Sequence, residues 1–117
     1  VDTGYLFAET HAFADALTRR LGLNLHVYSP RPSAAILVAR HGRLWEQGLA
    51  GVERYNELHK VEPMRRALAE LRAGTWLSGL RRVQSRSRAE VGFVGFREGR
   101  YEVHPIADWT DRDVGRY

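Results

Sequence analysis

Short apolar runs alternate with stretches of helical period along the whole chain, and glycine or proline separates most of them. That alternation is the mark of an α/β fold, in which each strand and helix must bury an apolar face against its neighbours. Residues 9–21 predict a helix. Phe13, Ala16, Leu17 and Leu21 recur at helical spacing, Arg19 and Arg20 sit near the end, and Gly22 stops it. From Leu23 to Tyr28, Leu23, Leu25 and Val27 alternate with Asn24, His26 and Tyr28, which predicts a strand with one buried face. Pro30 and Pro32 break it, and Ser33 caps a second helix over 33–40. Residues 42–51 read as a loop and 52–59 as a short helix. Pro63 is placed in the first turn of another helix running to about Arg72, where its missing N–H is harmless. Met64, Ala67, Leu68 and Leu71 form that helix's stripe. Residues 75–79 read as a buried parallel strand and 80–90 as an exposed loop. Val91 to Phe96 and Tyr101 to His104 read as two strands around Glu98-Gly99, and Asp108 or Thr110 as the cap of a last helix.

A length of 117 residues fits one domain with a real core. Hydrophobic residues at 44% and charged residues at 27% exclude a disordered chain. The longest apolar run, Ala34 to Ala39, ends at Arg40, far short of the roughly 18 residues a membrane span needs. The absence of cysteine excludes disulfides, thiolate metal sites, iron–sulfur clusters and a cysteine nucleophile within these residues. Both ends read as interrupted elements. Residues 1–3 resemble the tail of a strand, and the helix opening at Trp109-Thr110-Asp111 stops about a turn later at Tyr117. The expectation is the middle of a larger protein.

Eighteen basic residues stand against 14 acidic ones, and every basic residue but Lys60 is arginine. Arginine presents a planar fork to phosphate or carboxylate, so the bias fits an anionic ligand; it fits an arginine-rich coding sequence equally well. The densest arginines lie in Gly79-Leu80-Arg81-Arg82-Val83-Gln84-Ser85-Arg86-Ser87-Arg88, directly after the predicted parallel strand. Ligands of open α/β sheets sit outside the carboxyl ends of the strands. Gly79 allows close approach to the backbone. Arg81, Arg82, Arg86 and Arg88 offer forks, while Gln84, Ser85 and Ser87 offer neutral donors. Two readings fit: a site for a multiply charged phosphate or sulfate, and a solvated basic loop. Lys60, in His59-Lys60-Val61-Glu62-Pro63, stands at a predicted helix start, where the dipole favours anions; a plain surface lysine is the alternative. Asp2-Thr3-Gly4 fits either a nucleotide-site turn or an ordinary one. The five histidines show no metal-ligand spacing and read as scattered surface or half-buried imidazoles, so no metal is expected.

Taken together and in order, DTGYLFAET (2–10), LGLNLHVYSP (21–30), YNELHKVEPMRRALAEL (55–71), TWLSGLRRVQSRSRAEV (75–91) and VHPIADWTDRDV (103–114) resemble the phosphoadenylyl-sulfate (PAPS) reductase family of assimilatory sulfate reduction. The resemblance implies a Rossmann-like sheet of the adenine-nucleotide α-hydrolase type with helices on both faces, of which residues 1–117 would be the central part of one nucleotide-binding domain. In that family a cysteine of a mobile C-terminal segment attacks the sulfur of PAPS, adenosine 3′,5′-bisphosphate leaves, and thioredoxin or glutaredoxin then frees sulfite. Carried over by motif, Lys60, Arg81, Arg82, Gln84, Ser85 and Arg88 would face the phosphosulfate and phosphates, and Leu6, Phe7 and Gly79 would line the nucleotide pocket. A sister branch reduces adenylyl sulfate and carries a four-iron cluster on a cysteine pair just before the KVEP element. Residues 53–59 hold no cysteine here, so the sequence resembles the PAPS-using branch without a cofactor. The implied protein is cytoplasmic, binds neither membrane nor nucleic acid, and is a candidate homodimer. Relatives of the small subunit of ATP sulfurylase and a non-catalytic nucleotide-binding module are the alternatives; the KVEP element argues against the former. Two residues depart from the pattern: Val83 replaces an acidic residue and Ala8 a proline. The family's N-terminal phosphate loop and its nucleophilic cysteine have no counterpart in residues 1–117.

Overall fold

The computed structural model describes every residue, 1–117, and the chain divides into two units, Val1–Glu70 and Leu71–Tyr117. The first is helical. α1 (Ala8–Leu21) ends at Gly22, whose φ of 62° is the left-handed conformation that lets its N–H reach back to Thr18 O. α2 (Ala34–His41) starts at Ser33, whose side chain accepts from Ile36 N, as expected. Leu37, Leu44 and Ala67 form the apolar core, with Gly51, His59 and Pro63 buried beside them. α1 buries no residue, so the stripe through Phe13 and Leu21 faces outward.

Several expectations for this unit need correcting. Residues 1–3 and 23–28 form no strands. Their one backbone link is Asp2 N–H to Tyr28 O at 2.8 Å. All three strands of the chain lie beyond residue 74, so the alternation at 23–28 has no ladder to join and Leu23, Leu25 and Val27 remain exposed. Arg66 holds the end of that segment instead. It donates from Nη2 to Ser29 O (2.5 Å), and its guanidinium lies 5.5 Å from the Tyr28 ring.

The predicted loop at 42–51 is largely helical: a 3₁₀ turn at Leu44–Glu46 leads into α3 (Gly48–Asn56). Gly51 serves packing here. A Cβ at that position would lie 2.2 Å from Leu44 O, inside any allowed contact.

Pro63 falls in the first turn of the helix that ends at Glu70, as expected, but nothing separates that helix from the one before it. Residues 48–70 run without a break through α3, a π-turn at Glu57–Val61 and α4 (Glu62–Glu70). A proline inside a helix removes one i→i−4 bond and crowds the carbonyl four residues back. The π-turn, closed by Glu62 N–H to Glu57 O, takes up that disruption one residue before the proline.

The second unit carries the sheet, in the order β1-β3-β2. β1 (Thr75–Leu77) runs parallel to β3 (Arg100–Val103), and β2 (Val94–Arg97) pairs antiparallel with β3. β2 and β3 join through Glu98 (φ 52°) and Gly99 (φ 76°), the paired positive φ of a tight hairpin turn. β1 is an edge strand rather than the buried strand expected: Leu77 is 70% exposed. Thr110 caps α5 (Asp111–Arg116), accepting from Asp113 N while Asp113 Oδ2 accepts from Thr110 N (2.8 Å) and Oγ1 (2.7 Å). Those bonds hold the Asp113 carboxyl below its ordinary range, so its share of the cap is present at neutral pH and lost on acidification.

Glycine to alanine inside a helix normally stabilises by up to about 1 kcal/mol. At Gly51 the clash with Leu44 O reverses the sign: Gly51→Ala is expected to destabilise by about 1–3 kcal/mol in urea unfolding, whereas a gain in stability would contradict the packing described.

Candidate functional site

Because β1 and β3 are parallel, their carboxyl ends, Leu77 and Val103, leave the sheet at one edge. The loop after β1 packs there on the turn after β3. Ser78 N–H donates to Val103 O (2.9 Å), Ser78 Oγ lies 2.9 Å from Nδ1 of buried His104, and Arg82 N–H donates to Ala107 O (2.8 Å). Arg81 reaches Asp111 at 2.8 Å. The arginine loop is therefore anchored at the edge where α/β sheets take ligands.

Its side chains are more engaged than an exposed loop suggests. Two 3₁₀ turns, Arg82–Gln84 and Arg86–Arg88, give it shape. Arg82 donates from Nε to Val91 O (2.8 Å) and stacks its guanidinium 5.0 Å from the Phe93 ring centre. Gln84 acts as an acceptor: its Oε1 takes the backbone N–H of Arg81 (3.1 Å) and Nη1 of Arg88 (2.5 Å). Ser85 and Ser87 hydroxyls lie 3.0 Å apart. Each arginine keeps further N–H donors after these bonds, since a guanidinium carries five. A Cβ on Gly79 would meet only Ile106 Cδ1, at 3.8 Å, so no contact within the unit demands glycine there.

Lys60, Leu6 and Phe7 belong to the other unit. Leu6 and Phe7 precede α1 and are exposed, Phe7 at 77%. Asp2-Thr3-Gly4 forms a tight turn in which Gly4 N–H donates to Asp2 Oδ1 (2.7 Å) at a φ of 81°. Lys60 lies inside the π-turn, not at a helix start, so the dipole argument for it fails. Its Nζ sits 5.7 Å from the centre of the Tyr55 ring.

Two features went unread in the sequence. Tyr5, Trp45 and Tyr55 wall a cleft of about 350 Å³. Trp45 stands edge-on to both tyrosines, at 79° and 90°. The second is the burial of His59 and His104, which corrects the reading of surface or half-buried imidazoles. His59 stacks on Tyr55 (4.4 Å) and, because a carbonyl can only accept, donates from Nδ1 to Thr3 O (3.0 Å). The four-residue step from Tyr55 to His59 on a helix was the available signal.

The model of the phosphoadenosine phosphosulfate reductase domain matches residues 1–117. The chain belongs to that family. It is 64% identical over its whole length to the phosphoadenosine 5′-phosphosulfate reductase of Xanthomonas campestris pv. campestris, covering 48% of that protein. It is 63% identical to the Xylella fastidiosa enzyme of the same name, again over its whole length, covering 49%. Among solved structures, PAPS reductase from Candida auris in a phosphate complex aligns with all of this chain and 56% of its own, at 27% identity and a TM-score of 0.76. The chain thus spans about half the length of the curated PAPS reductases it matches. Its fold is the mixed α/β, adenine-nucleotide α-hydrolase type of the family.

If Gln84 organises the loop, Gln84→Leu should speed hydrogen exchange of the Arg81 amide roughly two- to tenfold, the worth of one net hydrogen bond. Gln84→Glu, which keeps the acceptor, should leave it protected. Equal exchange in the leucine variant and the wild type would show that Gln84 does not hold the loop.

Proposed function

We propose that the whole protein carrying this chain reduces 3′-phosphoadenylyl sulfate to sulfite and adenosine 3′,5′-bisphosphate, and that these 117 residues supply part of the substrate cradle. The observation that carries this reading is the arginine loop, anchored at the carboxyl edge of the parallel β1–β3 pair in a member of the PAPS reductase domain family. In this reading Arg82 and Arg88 are braced by Val91, Phe93 and Gln84, so their remaining N–H groups meet phosphate oxygens with little side-chain entropy left to lose. Arg81 and Ser85 complete the side that faces the substrate's anionic groups. Gly79 lets the nucleotide approach the backbone, and Leu6 and Phe7 offer apolar surface to the base. Lys60 supplies a point charge to the phosphosulfate.

The chemical step is the attack of a thiolate on the substrate's sulfur. This chain has no cysteine, so the thiolate comes from residues of the whole protein outside it. A thiol protein, thioredoxin or glutaredoxin, then releases sulfite. The cysteine-free stretch 53–59 favours the PAPS-using branch without an iron–sulfur cofactor. No helix is long and apolar enough to cross a membrane; a cytoplasmic location is part of the same proposal.

Calorimetric titration of the whole protein with adenosine 3′,5′-bisphosphate tests the cradle. Losing one charge-assisted bond of about 1.5–3 kcal/mol should weaken binding roughly 10- to 150-fold in Arg88→Ala. Arg88→Lys keeps the charge without the fork and should recover only part of the affinity. Arg72→Ala, an exposed position outside every motif, should bind like the wild type. Wild-type affinity in Arg88→Ala would mean that the loop is a solvated basic surface.

A further inference from the structure

Lys60 follows Tyr55 by five residues. On a regular α-helix of 3.6 residues per turn, five steps turn the chain through about 500°, leaving the two side chains roughly 140° apart. The i→i+5 closure of Glu57–Val61 fits one more residue into the turn and brings positions five apart towards the same side. Lys60 Nζ accordingly lies 5.7 Å from the centre of the Tyr55 ring, within cation–π range.

The ring itself is fixed. His59 stacks on it at 4.4 Å with 21° between planes, and Trp45 meets it edge-on at 6.0 Å. His59 is buried and bonded to Thr3 O. Meanwhile the two carboxylates that flank Lys60 in sequence are occupied by arginines: Glu57 pairs with Arg65 at 3.3 Å and Glu62 with Arg66 at 3.2 Å. The lysine is left with an aromatic face rather than a counter-ion. A carboxylate partner would neutralise the ammonium and compete with an incoming anion; a ring face orients it and leaves its charge available.

We infer that Tyr55 is a positioning residue for Lys60, its ring holding the ammonium where the π-turn directs it so that the charge meets the substrate's anionic group already oriented. The inference rests on the proposed contact between Lys60 and the phosphosulfate.

The test uses the whole protein with phenylalanine at position 55, then with mono-, di- and trifluorinated phenylalanine. Fluorine weakens the ring's negative face in steps while nearly keeping its shape, so packing and folding stay as they are. PAPS is titrated into each variant, with Lys60 intact and in a Lys60→Met background. With Lys60 present, Tyr55→Phe should bind like the wild type, and Kd should rise stepwise to about two- to fivefold at the trifluorinated ring. Without Lys60 the series should be flat. A flat series with Lys60 present, or an equal slope without it, overturns the positioning role. Failure of the underlying reading looks different: Lys60→Met alone would then bind PAPS as tightly as the wild type.

Discussion

Pro63 has no amide hydrogen to give, and the helical unit is arranged around that fact. A helix from Gly48 to Glu70 passes straight through the proline, and the backbone widens just ahead of it, at Glu57–Val61. The widened turn carries both His59 and Lys60. His59 turns inward, stacks on Tyr55 and ties the turn to the backbone of Thr3. Lys60 stays exposed, over the same ring. Two adjacent residues of one turn are thus divided, His59 to the core and Lys60 to the surface. The wider turn brings Lys60 to a face that the regular helix would deny it.

The sheet unit obeys a different constraint. Parallel pairing of β1 with β3 sends two connections out of one edge, so the arginine loop and the turn that holds His104 and Ala107 must share space. Ser78, Arg81 and Arg82 settle that crowding with bonds to His104, Asp111 and Ala107. Each of these bonds is polar, and the stacking of Arg82 on Phe93 adds to them. A shaped, cationic loop at a carboxyl edge fits the anionic ligand proposed above.

Features set by chemistry local in sequence were legible before the structure. Gly22, Ser33 and Thr110 end or begin helices through bonds to residues three or four positions away, and Glu98-Gly99 turns a hairpin with its own backbone. Family membership was legible because several motifs occur in one order. Illegible features depend on distant partners or on a residue with two uses. Alternation at 23–28 looks the same whether or not a neighbouring strand exists. Proline at the start of a helix and proline behind a π-turn are one letter, as are a loop glycine and Gly51 under Leu44 O. The loop arginines were legible as cations, but not as cations partly bonded to Val91 O, Gln84 and Asp111.

The central proposal is that the arginine loop after β1 holds the substrate's anionic groups, and a crystal structure of the whole protein with PAPS bound tests it most directly. The account predicts the guanidinium of Arg88 within hydrogen-bond distance of phosphate or sulfate oxygens, with the nucleotide against the backbone of Gly79. Nucleotide density elsewhere, with these donors turned to solvent, would contradict it.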